Sequence, residues 1–541
     1  MHHNNAGQVW KADLPLRGSG PPGPRATLAV NLQGAGANAN AKFARWQGAA
    51  EGRSGGGGVS EVSTTQPRVR GSQHSYLSTA TGRFDRPGGK KKAEAIQREV
   101  AQEIDRLLRV IFMDLRKSGR LDLEAVEMIT RRAMHQAGAS VLKELLQKDR
   151  SEVLREVSCS CGEQARFHEM RPKQILTVVG RIYIQRAYYV CAYCHHGQSP
   201  LDGELDVRGT ECSPGVRRMM ALVGGDGPFE LGRRQIEELA GLDVTSKTIE
   251  RHAETIGEDI ARREEAEVHR AIQLDLPEVN IADIPLMYME MDATGVPVVN
   301  SETEGRMGKI EGQPARNRDV KLGCIFTQTS TDQEGRPVRD DDSTTYTGAI
   351  ETAESFGRRM YTEAHRRGWH RAKRKVVIGD GAIWIWNIAD EHFPGAIQIV
   401  DLYHARQHLW ELSGKLFSAD PTQRQRWAGG LQKKLDTGKI ELLVKALRAF
   451  SAPNEELAKL LATEAEYFAR NAERMRYPKF RAEHLFVGSG VIEAGCKTVI
   501  GSRLKQSGMF WTVRGANAII ALRCNRLSHR FEDYWESRRA A

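Results

Sequence analysis

The chain has 541 residues, 40% of them hydrophobic, which is enough to bury the cores of two to four domains. No window approaches about 18 uninterrupted apolar residues, and the N-terminus lacks a secretory pattern, so we expect a cytoplasmic protein without a membrane span. The formal net charge is +10, but residues 1–92 hold thirteen Lys and Arg against four Asp and Glu, so the remainder is nearly neutral.

The first quarter of the chain changes character at about Lys91. Residues 1–90 are rich in Gly, Ser, Ala, Asn and Pro without a helical or strand period, which predicts a disordered low-complexity tail. Apolar residues then recur at helical spacing in two successive stretches. We therefore predict an N-terminal helical region over residues 91–156.

Two close cysteine pairs bracket a predicted β-hairpin in the segment 157–210. Eight cysteines in a chain of this length do not indicate a disulfide scaffold, and four converging thiolates are a ligand set of structural zinc. The segment predicts a zinc-ribbon-like module that holds Zn²⁺ through Cys159, Cys161, Cys191 and Cys194. His195 or His196 could replace one ligand, and the alternative is four unrelated reduced thiols.

The next region, residues 211–280, predicts a helix-turn-helix. The stretch RRQIEELAGLDVTSKTIERHAETIG contains a helix, a turn around Gly241 and a second helix capped near Thr245 or Ser246. That second helix would offer Lys247 and Arg251 to DNA. A plain helical hairpin is the alternative.

Three acids mark a predicted catalytic domain over residues 281–541. Four short apolar runs, at 286–293, 320–327, 376–379 and 396–400, predict strands of one sheet. Asp292 and Asp380 end two of these runs, and Glu493 opens a helix after a Gly-Ser-Gly loop. Carboxylates at the ends of neighbouring strands point into one crevice, where hard oxygen ligands suit Mg²⁺.

Each acid also has a plain structural explanation, as a turn residue or as a favourable charge at a helix N-terminus. The glycines on both sides of Asp380 are interpreted as room for metal ions and a DNA backbone. Between Asp380 and Glu493, residues 403–485 predict a mostly helical segment.

Four motifs give the chain a specific resemblance. They are MDATGVPV, VVIGDGAIWIWNIADEHFP, IVDLYHARQHLW and GSGVIEAGCKTVIGSRLKQSGMFWTVRGANAIIALRCNRLSHRFEDYW. The chain resembles, over residues 91–541, the DDE transposases of bacterial insertion sequences, in particular the ISKra group, which is distantly similar to Mutator-type transposases. The family usually shows Asp-Gly-Thr-Gly-Val-Pro at the first acid, where this chain has Ala293 after Asp292.

The resemblance implies an α/β fold with an RNase H-like mixed sheet, flanked by helices and carrying the helical insertion at about 403–485. It implies that Asp292, Asp380 and Glu493 bind catalytic Mg²⁺ or Mn²⁺. The DLYH segment resembles an element of Mutator-type relatives, which makes Asp401 and His404 secondary candidates. His404 would orient the scissile phosphate or the leaving oxygen, and a helix-start histidine beside a capping aspartate is the alternative.

The expected function is cleavage of transposon-end DNA and strand transfer into target DNA, in the nucleoid of the cytoplasm. The partners would be double-stranded DNA and a second copy of the chain, since two ends must be held together. Arg503 and Lys505 are further candidates for phosphate contacts, and Trp511 for stacking on a base or for core packing. The alternatives are a nuclease or resolvase without strand transfer and a non-enzymatic DNA-binding regulator.

Two basic stretches, residues 358–375 and Lys497–Arg539, could face nucleic acid or be solvated helix faces. A glycosidase using paired carboxylates would explain neither the cysteine pairs nor these basic stretches.

Overall fold

A computed structural model describes residues 89–118, 122–147, 153–273, 284–308 and 313–540. The tail predicted for residues 1–90 lies outside these ranges, except for its last two residues. Helices α1 (Gly89–Ser118) and α2 (Leu123–Leu146) confirm the two predicted helical stretches. Asp122 caps α2, because its carboxylate accepts a hydrogen bond from the N–H of Ala125 at 3.2 Å.

An antiparallel sheet of four strands follows in the chain order β1-β2-β3-β4. Its strands are β1 (Glu156–Ser158), β2 (Gln164–Thr177), β3 (Gly180–Cys191) and β4 (Gly197–Gln198). β2 and β3 form the predicted hairpin, and Gly180 supplies the positive φ of 115° that its tight turn requires.

Four helices connect this sheet to the next. They are α3 (Pro200–Glu204), α4 (Pro214–Asp226), α5 (Phe229–Ala240) and α6 (Ser246–Ile272). Gly241 ends α5 in the left-handed conformation, with φ of 64°. Thr245 begins α6 as predicted, since its hydroxyl accepts a hydrogen bond from the N–H of Thr248 at 3.1 Å.

A mixed five-stranded sheet, in the order β11-β10-β5-β6-β9, forms the centre of the second half. Its strands, with the small pair β7 and β8, are β5 (Ile284–Pro297), β6 (Asn317–Thr327), β7 (Ser330–Thr331), β8 (Pro337–Val338), β9 (Thr345–Ala349), β10 (Ala372–Gly379) and β11 (Ile397–Val400). β6 pairs antiparallel with both β5 and β9, whereas β10 is parallel to both β5 and β11. The four predicted strands are confirmed as members of one sheet, and β9 is an additional one.

Helices cover both faces of this sheet. α7 (Ala353–Arg366) and α8 (Ile383–His392) lie between its strands in the chain. A Cβ on Gly323 of β6 would meet Met360 of α7, whereas the neighbouring Leu322 contacts Gly495 in the C-terminal helices. Successive strand residues point to opposite faces, so both faces are buried and the strands read as continuous apolar runs. Each fully buried Leu or Met side chain contributes roughly 1.5–3 kcal/mol.

The segment after β11 is helical, as predicted for residues 403–485. Its helices are α9 (Leu402–Leu416), α10 (Pro421–Asp436), α11 (Ile440–Arg448), α12 (Glu455–Arg470) and α13 (Tyr477–Ala482). The chain then continues as α14 (Gly490–Gly495), a π-helix (Cys496–Gly501), α15 (Ser502–Leu504), α16 (Val513–Leu527) and α17 (Phe531–Ala540). The helical insertion thus lies between β11 and the helix that carries Glu493.

Candidate active site and metal-binding cysteines

Asp292 and Asp380 lie at the same level of two neighbouring parallel strands. The pairing of β10 with β5 runs from Ala372 opposite Ile284 to Ile378 opposite Glu290. Each aspartate lies two residues beyond that last pair, so the register brings the two together. Burial raises the pKa of Asp292, and the negative charge of Asp380 raises it further.

The half-buried carboxylate of Asp292 is held by two donors. Its Oδ1 accepts the N–H of Ala293 at 2.6 Å, and its Oδ2 accepts the thiol of Cys496 at 3.4 Å. Asp292 pairs in register with Leu322 of β6, so it lies on the sheet face that the C-terminal helices cover. Cys496 therefore connects the first acid to the π-helix that follows Glu493.

The turn after β10 is tightly packed around Asp380. Its Oδ1 accepts the N–H of Ala382 at 2.9 Å, and its main-chain carbonyl accepts the hydroxyl of Tyr467 at 2.8 Å. A Cβ on Gly379 would come within 2.8 Å of Ile385, and one on Gly381 within 2.5 Å of the Tyr467 ring. Both glycines are therefore required by protein packing, which corrects the interpretation that they leave room for metal and DNA.

Glu493 stands on the first turn of α14 and is exposed. The neighbouring N–H of Ile492 donates a hydrogen bond of 2.8 Å to Glu290, a fully buried acid of β5. Burial raises the pKa of Glu290 to about 8. Glu290 pairs with Cys324 just as Asp292 pairs with Leu322, so it anchors α14 to the strand and face that carry Asp292.

The three acids lie in one region of the structure, but their carboxylate oxygens do not form a compact ligand group. In the described part of the chain, the one group of three or more potential ligands whose donor atoms all lie within 4.8 Å of each other consists of cysteines. Asp292, Asp380 and Glu493 are not such a group. The two aspartates come together, and Glu493 lies on a helix anchored beside them.

Asp401 and His404 open helix α9 next to this region. Asp401 is fully buried and caps the helix, because its Oδ1 accepts the N–H of His404 at 2.8 Å. Its Oδ2 accepts both the N–H and the hydroxyl of Ser489 at 2.5 Å, which holds the loop before Glu493. The capping role foreseen as the alternative for Asp401 is therefore present.

His404 belongs to a chain of side chains. Its Nε2 lies 3.3 Å from Nε2 of His408, whose Nδ1 lies 2.8 Å from the Glu464 carboxylate. The positive charge that His404 can carry lowers the pKa of Asp292, although burial of Asp292 has the larger, opposite effect. His404 on α9 therefore interacts electrostatically with Asp292.

Several residues of this arrangement were absent from the sequence prediction, among them Cys496, which donates to Asp292, and Ser489, which donates to Asp401. Glu290 could have been found, because it is an acid inside the apolar run PLMYMEMD and two residues from Asp292. His408 could also have been found, one helical turn after His404. Glu464 and Tyr467 meet the site only through folding of the insertion, and no local pattern marks them.

Arg503 and Lys505 were both predicted to contact phosphate, and of the two only Lys505 is exposed to solvent. Its ammonium donates to the hydroxyl of Thr294, two residues after Asp292. Arg503, in contrast, is fully buried, and its Nε donates to the carbonyl of Gly224 at 2.9 Å. Its guanidinium lies 4.5 Å from the ring of Phe229 and 4.9 Å from that of Trp511. The prediction that Arg503 contacts DNA is wrong for this conformation, because solvent does not reach it.

Trp511 and the first basic stretch are also used inside the protein. Trp511 is buried, and its Nε1 donates to the carbonyl of Leu504 at 3.1 Å, so the core-packing alternative holds. Four arginines of residues 358–375 pair with acids of the chain, for example Arg359 with Glu351 at 2.7 Å and Arg374 with Glu483 at 2.5 Å.

The four predicted cysteine ligands come together at the base of the β2–β3 hairpin. The sulfur of Cys159 lies 3.5 Å from that of Cys194, and the sulfur of Cys161 lies 3.7 Å from that of Cys191. Thiolates arranged tetrahedrally at about 2.3 Å from zinc lie roughly 3.8 Å apart, so the spacing fits a metal ion. Neither neighbouring histidine belongs to the group.

The predicted DNA-facing residues of α6 differ in their surroundings. Lys247 is exposed and forms an ion pair with Glu250 at 2.8 Å. Arg251 lines a cleft of about 570 Å³ together with Lys173 and Arg181 of the hairpin. The cleft therefore gathers cations from both predicted DNA-binding modules, with Glu211 and Asp243 as its acids.

The chain is distantly similar to known proteins, among them a bacterial protein and a solved transposase complex. No family model matches the chain. The UPF0236 protein in vanSb 3'region of Streptococcus gallolyticus is 22% identical over 355 residues, covering 62% of this chain and 69% of that protein. The solved Drosophila P element transposase strand transfer complex is similar over 59% of this chain and 80% of its own, at 9% identity and a TM-score of 0.20. Within the described ranges, no helix is long and apolar enough to cross a membrane.

Proposed function

We propose that this chain is a DDE-type DNA transposase whose catalytic domain has an RNase H-like fold. The observation that carries the proposal is the side-by-side position of Asp292 and Asp380 at the open end of two parallel strands. They belong to a five-stranded sheet in which three antiparallel strands precede two parallel ones. Glu493 supplies the third acid from a helix anchored to the same strand through Glu290.

The donor chemistry of the three acids fits Mg²⁺ or Mn²⁺, which prefer oxygen ligands and are commonly held by a few carboxylates together with substrate phosphates. Bound there, the metal would lower the pKa of the attacking hydroxyl and stabilise the leaving oxyanion. Asp292, Asp380 and Glu493 would act as ligands, so no covalent bond between protein and DNA would form.

The reaction would be two in-line displacements at phosphorus. In the first, a water oxygen attacks a phosphodiester at the transposon end and the bond to the 3′-oxygen breaks, which frees a 3′-hydroxyl. In the second, the oxygen of that hydroxyl loses its proton and bonds to a phosphorus of target DNA, while the bond from that phosphorus to the target's 3′-oxygen breaks and leaves a 3′-hydroxyl on the target strand. His404 would orient the reacting phosphate or the leaving oxygen, and Lys505 would contact the neighbouring backbone.

Purified protein incubated with end-containing DNA and Mg²⁺ tests this proposal. We expect cleavage, and we expect Asp292→Ala, Asp380→Ala and Glu493→Ala to abolish cleavage while leaving end binding intact. Asp390→Ala, an exposed acid on α8, is the matched control and should cleave normally. Full cleavage by Asp380→Ala would overturn the assignment.

A nuclease or resolvase with the same fold remains the second candidate, because the carboxylates serve hydrolysis equally well. The two functions differ in the second displacement. Supplied with pre-cleaved ends and a target plasmid, a transposase inserts the ends, whereas a nuclease leaves them unjoined. The third alternative, a DNA-binding regulator without catalysis, predicts no Mg²⁺-dependent cleavage at all.

We further propose that the cysteine group is a zinc-ribbon-like structural site and that, with the helix-turn-helix around Gly241, it binds the transposon ends. Four protein thiolates leave no open coordination position, so the metal would stabilise the fold. Metal analysis should find one zinc per chain, and Cys194→Ser should lose it. Cys212→Ala, which changes a buried cysteine outside the group, should keep it.

A further inference from the structure

A cleft of about 800 Å³ opens directly beside Glu493. It lies between the β7–β8 hairpin, the start of α9 and the segment that leads into α14. Its lining consists of residues 334–337, Tyr403, Arg481, residues 485–488, Gly490 and Glu493. The cleft thus shares one proposed catalytic acid with the active site, and its other lining residues have no assigned role.

An aromatic ring stands on its surface. Tyr403 is 61% exposed, although it lies between the buried Leu402 and the half-buried His404 at the start of α9. One side of its ring packs on Gly488, where a Cβ would come within 2.9 Å of the ring. The guanidinium of Arg406 lies 5.6 Å from the ring centre. The ring is therefore held in place, and much of it remains open to solvent.

Two cations also line the cleft, Arg336 and Arg481. The side chain of Arg336 is 73% exposed, and its guanidinium nitrogens lie 4.0 Å from the carboxylates of Asp332 and Glu334. Arg481 is exposed at the end of α13. Glu334 and Glu493 are the acids of the lining, and Glu493 is a proposed metal ligand, so its charge would be balanced in the working enzyme.

Hydrogen bonds fix the hairpin wall relative to the rest of the cleft. His484 Nδ1 lies 2.6 Å from the carbonyl of Gly335, and the side-chain amide of Gln328 donates to the carbonyl of His484 at 3.1 Å. At Gly490 an added Cβ would meet no atom within 4 Å, so the entrance near Glu493 is open. The cleft is consequently preformed.

We propose that this cleft binds unpaired nucleotides of a DNA strand next to the reacting phosphate, with Tyr403 stacked on one base and Arg336 and Arg481 at the backbone. The inference rests on the proposed function, because its position is meaningful only if Glu493 serves phosphoryl chemistry. The volume is that of a small-ligand site and suits about one or two nucleotides. A base offers its face to an aromatic ring only when it is unpaired, which favours a single strand over a duplex.

Binding of short fluorescent oligothymidylate and of a duplex of equal length, measured by anisotropy with the full chain, tests the proposal. Tyr403→Ala should weaken single-strand binding by roughly fivefold or more, and Tyr403→Phe should restore it, because phenylalanine also stacks. Phe112→Ala, another exposed aromatic far along the chain on α1, is the matched control. Duplex binding should change little in each variant.

The arginines have a separate signature. Each lost phosphate contact lowers the slope of log affinity against log salt by about 0.7 for a single strand. The double variant Arg336→Ala with Arg481→Ala should therefore lower the slope by about 1.4, and Arg448→Ala on α11 should leave it unchanged. The proposal would be overturned if Tyr403→Ala bound single strands as tightly as the unaltered protein. It would also be overturned if the double variant had an unchanged salt slope.

Cleavage assays distinguish this failure from failure of the proposed function. If unaltered protein cleaves end DNA with Mg²⁺ while the Tyr403 and arginine variants bind single strands normally, the cleft assignment is wrong and the transposase proposal stands. If single-strand binding depends on Tyr403 but no cleavage occurs, the cleft binds DNA and the transposase proposal is wrong.

Discussion

The hydroxyl of Tyr467 donates a hydrogen bond of 2.8 Å to the main-chain carbonyl of Asp380. Tyr467 belongs to α12 of the helical insertion, 87 residues along the chain from the turn it contacts. Its ring also stacks on His408, with centroids 4.3 Å apart and planes within 9° of each other. The insertion therefore contributes a side chain that contacts both Asp380 and His408.

Tyr467→Phe should destabilise the protein and impair catalysis together. The carbonyl of Asp380 would lose its buried donor, which costs about 1–3 kcal/mol. The turn that carries the carboxylate would then be less well positioned, so Mg²⁺-dependent cleavage should fall. Chemical unfolding and cleavage rates measure the two effects.

Tyr477→Phe provides the matched control for this variant. Tyr477 is also a fully buried tyrosine of the insertion, but its hydroxyl has no hydrogen-bond partner among the described residues. Removing that hydroxyl should leave stability unchanged or raise it. Equal losses in the two variants would show that the bond to Asp380 contributes nothing.

The sequence predicted the parts of the fold that depend on local pattern. The apolar runs of β5, β6, β10 and β11, the capping residue Thr245 and the paired cysteines all carry signals within a few residues. The contact between Tyr467 and Asp380 carries none, since it depends on how the insertion folds back. For the same reason, the glycines beside Asp380 were attributed to ligand space when protein atoms fill it.

Arg503 and Lys505 should separate stability from DNA binding, although they lie two residues apart. Arg503→Ala removes a buried charged hydrogen bond and two cation–π contacts, so it should destabilise the fold by about 2–4 kcal/mol. Lys505→Ala should leave stability unchanged and lower the salt slope of duplex binding by about 0.9. Thermal unfolding and salt titrations of binding measure these effects.

The sequence alone did not show that Arg503 is buried and Lys505 exposed. Both are basic residues following Glu493, and both were predicted to contact phosphate. Arg503 instead lies between Phe229 and Trp511, which come from elements 282 residues apart in the chain. A lowered salt slope in Arg503→Ala, with stability unchanged, would restore the original prediction.

His252 should make the stability of the fold depend on pH in the acid range. It is buried on α6, and burial lowers its pKa to about 4, with a further contribution from the charges of Arg251 and Arg217. Between pH 4 and about 6.5 the unfolded chain binds the proton and the folded chain does not, so stability is present above this window and is lost as pH falls through it. The expected slope is about 1.4 kcal/mol per pH unit.

His252→Gln isolates this contribution, because glutamine does not titrate. The difference in unfolding free energy between the variant and the unaltered protein should change across pH 4 to 6.5 and be constant above it. His529→Gln changes a histidine outside the hydrophobic core and serves as the control. A constant difference across the whole range for His252→Gln would exclude the buried, neutral histidine.

Gly381→Ala tests why the second acid stands between glycines. Gly381 has a positive φ of 98°, and a Cβ there would come within 2.5 Å of the Tyr467 ring. Gly395→Ala is the matched control, since Gly395 also has a positive φ, 79°, but a Cβ on it would meet no atom within 4 Å. Both variants carry the backbone strain, so the additional loss of unfolding free energy in Gly381→Ala, about 1–3 kcal/mol, measures the clash with Tyr467.

Combining Gly381→Ala with Tyr467→Ala should remove the contribution of the clash, because the ring is then absent. If the glycine instead served only to admit DNA, Gly381→Ala would unfold like Gly395→Ala and lose cleavage alone.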